Sequence, residues 1–132
     1  MNLYLWIALG GALGSVARFG AAEAVTRGMG GAFPWGTLVV NVAGSFVIGF
    51  FATVTAPAGR WPVGGDGRHF FMTGVLGGFT TFSSFSLQTL GLMRENEWLR
   101  AGGNVVGSVS LCLIAVWLGH LAATALSPAR GA

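Results

Sequence analysis

The chain has no lysine, a single cysteine and only four acidic residues in 132 positions. Without lysine there is no Walker-type phosphate loop, so ATP hydrolysis by that route is excluded. Cys112, alone in an apolar run, cannot form an internal disulfide and has no partner at metal-ligand spacing. His69 and His120 lie near opposite ends of different apolar segments, and no serine–histidine–acid set is evident, so no enzymatic activity is expected. The acids Glu23, Asp66, Glu95 and Glu97 all sit near segment ends or in the gaps between segments. No carboxylate relay therefore crosses the apolar segments, and passive conduction fits better than a proton-coupled pump. Charged residues make up 8% of the chain, where a soluble domain carries roughly a quarter. Seven arginines give a net charge of +3, too thinly spread for a nucleic-acid surface or a polybasic lipid patch.

What is present is apolar, at 53% of residues. The chain is an integral membrane protein. Four segments are long enough for a bilayer core that takes about 20 helical residues to cross: residues 3–25, 35–56, 70–93 and 101–126. The first begins directly after Met-Asn, with no basic n-region of a cleaved signal. Each gap contains arginine, and the first two also contain proline and glycine, which mark turns. Trp35, Trp61 and Trp98 fall near segment ends, where an interfacial aromatic belt places them. A single four-helix unit, residues 1–132, is expected, with lipid as its surroundings.

Orientation follows from arginines near the helix ends. Arg60, Arg68 and Arg130 lie on one side; Arg27, Arg94 and Arg100 lie on the other, with Arg18 inside the first span. Three against three gives the insertion machinery no preference. Dual topology, and with it an antiparallel dimer, is the physical expectation.

Each span carries small or polar residues at turn spacing: Gly10, Gly14, Arg18 and Ala22; Thr37, Asn41, Ser45 and Gly49; then Asn104, Ser108 and Cys112. Spacing of four places each set on one helix face. Two readings stand: tight helix packing through small residues, or a lined polar path. The third span favours the second reading. Its stretch 74–85, Gly-Val-Leu-Gly-Gly-Phe-Thr-Thr-Phe-Ser-Ser-Phe, invites the helix to open at its paired glycines and small hydroxyl residues. Such a break is tolerated only where protein or water receives the freed backbone groups. Arg18 either snorkels to the nearer interface or stands in a vestibule and concentrates anions. Asn41 offers amide N–H donors in mid-membrane, for a neighbouring helix or for a ligand. Phe79, Phe82 and Phe85 face lipid or core, or else turn electropositive ring edges to an anion. Amide, hydroxyl and ring edges together would draw an anion without holding it.

Three motifs carry a resemblance across all four spans. Gly-Gly-Ala-Leu-Gly-Ser-Val-Ala-Arg (10–18), Gly-Thr-Leu-Val-Val-Asn-Val-Ala-Gly-Ser-Phe (36–46) and Gly-Gly-Phe-Thr-Thr-Phe-Ser-Ser-Phe (77–85) resemble the fluoride channel family, the small bacterial exporters called CrcB or Fluc proteins. The resemblance implies an all-α integral membrane fold with a broken third helix. It also implies an antiparallel, dual-topology homodimer with two fluoride pores in the bacterial inner membrane. Carried over by position, it makes Asn41 a pore donor and Phe82 and Phe85 the rings flanking the anion. Thr81 and Ser84 line the route from the third helix, and Ser108 and Cys112 line it from the fourth. It further implies a structural sodium ion held by backbone carbonyls at Gly77 and Thr80, oxygen ligands that suit a hard cation. Leu76 stands where many members carry cysteine, Ser84 where threonine is usual, and Gln88 where glutamate is frequent. The expected function is passive, fluoride-selective efflux. The alternative is a small dual-topology, proton-coupled multidrug exporter, for which Glu23 is the only candidate carboxylate.

Overall fold

The structure, a computed structural model, describes residues 2–127; Arg130 of the arginine count lies outside them. Helix α1 spans Leu3–Met29, α2 Trp35–Val54, α3 residues 65–79, α4 Phe82–Arg94 and α5 Trp98–Leu126. Helices α3 and α4 are the two halves of the third membrane span. Four helical units, at Leu3–Met29, Trp35–Val54, Gly65–Arg94 and Trp98–Leu126, are long and apolar enough to cross a membrane.

Local chemistry sets the helix ends. Asn2 caps α1, its Oδ1 accepting from Tyr4 N at 3.0 Å. The helix stops at Gly30, whose φ of 85° suits glycine and whose N–H donates to Thr26 O. Arginines satisfy carbonyls at two other ends. Arg68 donates to Ala52 O at 3.1 Å and to Thr55 Oγ1 at the end of α2, and Arg60 donates to Leu126 O at 2.8 Å. Two arginines of the topology count thus close helix termini as well.

Hydrophobicity supplies no driving force between helices in lipid, so close packing must do so. Helix α2 lies along α5: a Cβ added at Gly49 would collide with Val116 O, and one at Gly119 with Phe46 O. Helix α1 lies along α3 by the same means, since Gly14 faces Val75 O and Gly10 faces Phe70 O with no room for a methyl. Gly36 of α2 meets Ala22 O of α1, which joins the two pairs. For the stripe on α1, the packing reading holds at Gly10, Gly14 and Ala22.

The third span departs from regular α-helix in two places. Residues His69–Leu76 form π-helix, flanked by single α-turns at Gly65–Arg68 and Gly77–Phe79. The π stretch explains the fit to α1. Phe70 and Val75 are five residues apart, one π-turn, and their carbonyls meet Gly10 and Gly14, four apart and one α-turn. The opening itself falls within the stretch 74–85, at its threonine pair. Gly77 is helical, with φ −62° and ψ −36°. The chain becomes extended at Thr80 (φ −89°, ψ 158°) and Thr81 (φ −154°, ψ 116°). Within the expected stretch 74–85 the small hydroxyl residues open the helix, while the paired glycines stay helical. Gly78 is used for packing, because a Cβ there would come within 2.5 Å of Gly11 O.

Candidate functional site: an uncharged cavity at the broken helix

The break is held by one side chain. Asn41 Nδ2 donates to Thr81 O at 2.9 Å, and Thr81 N donates to Asn41 Oδ1 at 2.7 Å. The amide thus replaces the neighbouring turn that the extended residue lost, as buried backbone groups in a membrane require. Thr81 also caps α4: its Oγ1 accepts from Ser84 N at 3.2 Å and donates to Ser84 Oγ at 3.2 Å. One consequence concerns carbonyls. In an unbroken helix Thr81 N would bond to Gly77 O, and Ser84 N would bond to Thr80 O. Both donors are diverted here, so Gly77 and Thr80 lose their regular helical partners.

Beside the break is a cavity of about 320 Å³, lined from α2 by Asn41, Gly44, Ser45 and Ile48 and from α5 by Ser108, Val109 and Cys112. Its third wall comprises Met72, Leu76, Gly77, Thr80, Thr81, Phe82 and Phe85. No lining residue is charged. Of the expected site residues, Asn41, Thr81, Phe82, Phe85, Ser108, Cys112, Gly77 and Thr80 all meet at this one cavity. Ser84 does not line it and lies in the cap of α4. Arg18 does not line it either. It is half-buried on α1, outside the ion pairs Arg27–Glu23 and Arg100–Glu97 seen among the described residues.

The Phe82 and Phe85 rings lie 5.2 Å apart at 54°. Phe85 is buried, whereas Phe82 is 75% exposed on the single chain. Asn41 spends one of its two N–H groups on Thr81, which leaves one for the cavity. Gly44 sits where a Cβ would overlap the Thr80 methyl, so the absence of a side chain there admits the break.

A second polar system runs behind the rings. Thr89 Oγ1 donates to Phe85 O at 2.7 Å, Asn104 Nδ2 donates to Thr89 Oγ1 at 3.0 Å, and Ser108 Oγ donates to Asn104 Oδ1 at 3.2 Å. Sequence reasoning passed over Thr89. Its spacing of four from Phe85, matching the α5 stripe, is the signal that could have found it. Glu23, the carboxylate of the exporter alternative, is paired with Arg27 at 2.6 Å near the end of α1, away from the cavity.

A bundle of helices long and apolar enough to cross a membrane, with an uncharged, mainly apolar cavity that carries a few polar groups at a helix break, is the architecture expected of a membrane transport protein. A family model described as "CrcB-like protein, Camphor Resistance (CrcB)" matches residues 5–120. Among curated relatives, a protein of Opitutus terrae is 70% identical over 131 residues, covering 99% of each chain. One from Methylocella silvestris is 57% identical with 98% of each covered, and one from Paramagnetospirillum magneticum is 56% identical with 96% of this chain and 99% of its own covered. All three are named fluoride-specific ion channel FluC. The chain belongs to the CrcB family.

Proposed function

We propose that the chain is a multi-pass protein of the bacterial inner membrane that conducts fluoride passively, as its relatives' names indicate. It is a transporter and not an enzyme. The observation that carries this reading is the cavity at Thr80–Thr81. Its donors are the second Asn41 N–H, the Ser45 hydroxyl and ring edges, and it contains no fixed charge. Such a site attracts a small anion but binds it too weakly to trap it. HF that enters the cell ionises there, and the membrane potential drives the anion outward through the channel. The multidrug alternative has no carboxylate in the cavity.

A single copy does not finish the pore. On the single chain Phe82, part of the cavity wall, is largely exposed. The three-to-three arginine count supports a second, inverted copy as the missing wall, giving an antiparallel homodimer with two pores. The diverted donors at Gly77 and Thr80 support a structural sodium ion there, which would neutralise the exposed carbonyl dipoles. Removal of sodium is expected to lower the unfolding midpoint in detergent, and an unchanged midpoint would reject that ion.

The deciding experiment uses proteoliposomes loaded with potassium fluoride, with the potential clamped by valinomycin and efflux followed by a fluoride electrode. Fluoride efflux without matching chloride efflux is expected. No efflux, or equal rates for both anions, would overturn the function.

A further inference from the structure

We infer that Asn104 is a positioning residue for the anion path, whose amide sets whether Ser108 turns a proton or a lone pair toward the cavity. This rests on the reading of the cavity as the fluoride path. Asn104 is 2% exposed, Thr89 and Ser108 are buried with it, and of the three only Ser108 also lines the cavity. In the observed arrangement both hydroxyl protons and one of the two amide N–H groups are spent within the network: Ser108 on Asn104 Oδ1, Asn104 on Thr89, and Thr89 on the Phe85 carbonyl. Ser108 then offers the cavity only lone pairs, which repel an anion.

Half a turn of the amide exchanges its N and O without moving any other heavy atom. Thr89 then donates to Oδ1, Nδ2 donates to Ser108 Oγ, and the Ser108 proton is released to the cavity. The observed arrangement makes three hydrogen bonds within this network. The rotated one makes two, and the released Ser108 proton turns to an acceptor in the cavity or, without one, to the Asn104 carbonyl one helical turn back. An anion therefore selects the rotated state because it interacts differently with the two. The empty path keeps its donor withdrawn, which limits how tightly any one anion is held. The Phe85 carbonyl keeps its ordinary helical partner in either state.

Asn104→Asp is acceptor-only when ionised; kept protonated by burial, it can spend its one O–H on Thr89 Oγ1 and still accept the Ser108 proton. Asn104→Leu leaves that proton free. In the clamped efflux assay, Ser108→Ala is expected to slow fluoride efflux about tenfold and Asn104→Asp to match it. Asn104→Asp should add less than twofold in the Ser108→Ala background, and Asn104→Leu should stay within twofold of wild type. If Asn104→Asp slows efflux as much in the Ser108→Ala background as it does alone, it acts by charge or structure and the inference fails. Should Asn104→Asp not give folded dimer on size exclusion, Asn104→Leu decides alone: efflux as low as that of Ser108→Ala overturns the inference. Wild-type protein in the same assay separates the two levels. If it conducts no fluoride, the functional reading falls as well; if it conducts and the double mutant is additive, only the role of Asn104 falls.

Discussion

Asn41→Asp changes one group and tests both duties of that side chain. Oδ1 can still accept from Thr81 N, now 2.7 Å away. The other position, which donates to Thr81 O at 2.9 Å, becomes an oxygen facing an oxygen. An unpaired buried carbonyl costs about 1–3 kcal/mol, a loss readable as a lower unfolding midpoint in detergent. The effect on conduction is larger. A carboxylate about 4 Å from a passing fluoride raises its energy by about 4 kcal/mol at an effective dielectric of about 20, which is about a thousandfold in occupancy. Asn41→Leu separates the terms: it leaves both Thr81 groups unpaired, at about 2–6 kcal/mol by the same rule, and adds no charge. Clamped fluoride efflux and thermal unfolding should be measured on the same preparations. Folded Asn41→Asp protein conducting within tenfold of wild type would refute both the placement of Asn41 beside the anion and the reasoning from charge.

Three further outcomes are expected. Phe82→Ile and Phe85→Ile remove the electropositive ring edges at similar volume, so each should cut fluoride efflux at least tenfold while the protein elutes on size exclusion as wild type does. A cationic methanethiosulfonate reagent should block efflux by modifying Cys112 in the cavity, and Cys112→Ser should abolish the block; persistent block would place the reactive group elsewhere. Gly49→Leu drives a side chain into Val116 O on α5, and overpacking of this kind costs about 1–3 kcal/mol or more, so its unfolding midpoint should fall well below that of Gly28→Ala, where there is open space.

Much of this was legible in the sequence because membranes reduce the choices. Long apolar segments can only be helices, and the four expected spans correspond to four helical units. Residues Asn41, Phe82, Phe85, Ser108 and Cys112 converge on one cavity because turn spacing on α2, α4 and α5 survives folding. The π stretch at 69–76 left no sequence mark, since its residues suit an α-helix equally well. It is selected by carbonyls that must meet Gly10 and Gly14. Within the stretch 74–85 the opening falls at Thr80–Thr81 and not at Gly77–Gly78 for a similar reason. Intrinsic glycine flexibility lost to the requirement for close contact with Gly11, and the break went where Asn41 could receive the backbone. Thr89 was missed because its spacing of four from Phe85 gains meaning only when set beside the Asn104–Ser108 stripe on α5.

The Asn41–Thr81 clasp also has a consequence for biogenesis. Residues are synthesised from the N-terminus, so α2 is in the bilayer before the broken span leaves the ribosome. A helix interrupted in mid-span enters lipid poorly, because its exposed peptide groups find no water there. Asn41 is already in place to accept and donate when Thr81 arrives. The second span is therefore expected to act as an insertion template for the third, and moving the α2 sequence after the broken span should leave that span stalled at the membrane surface.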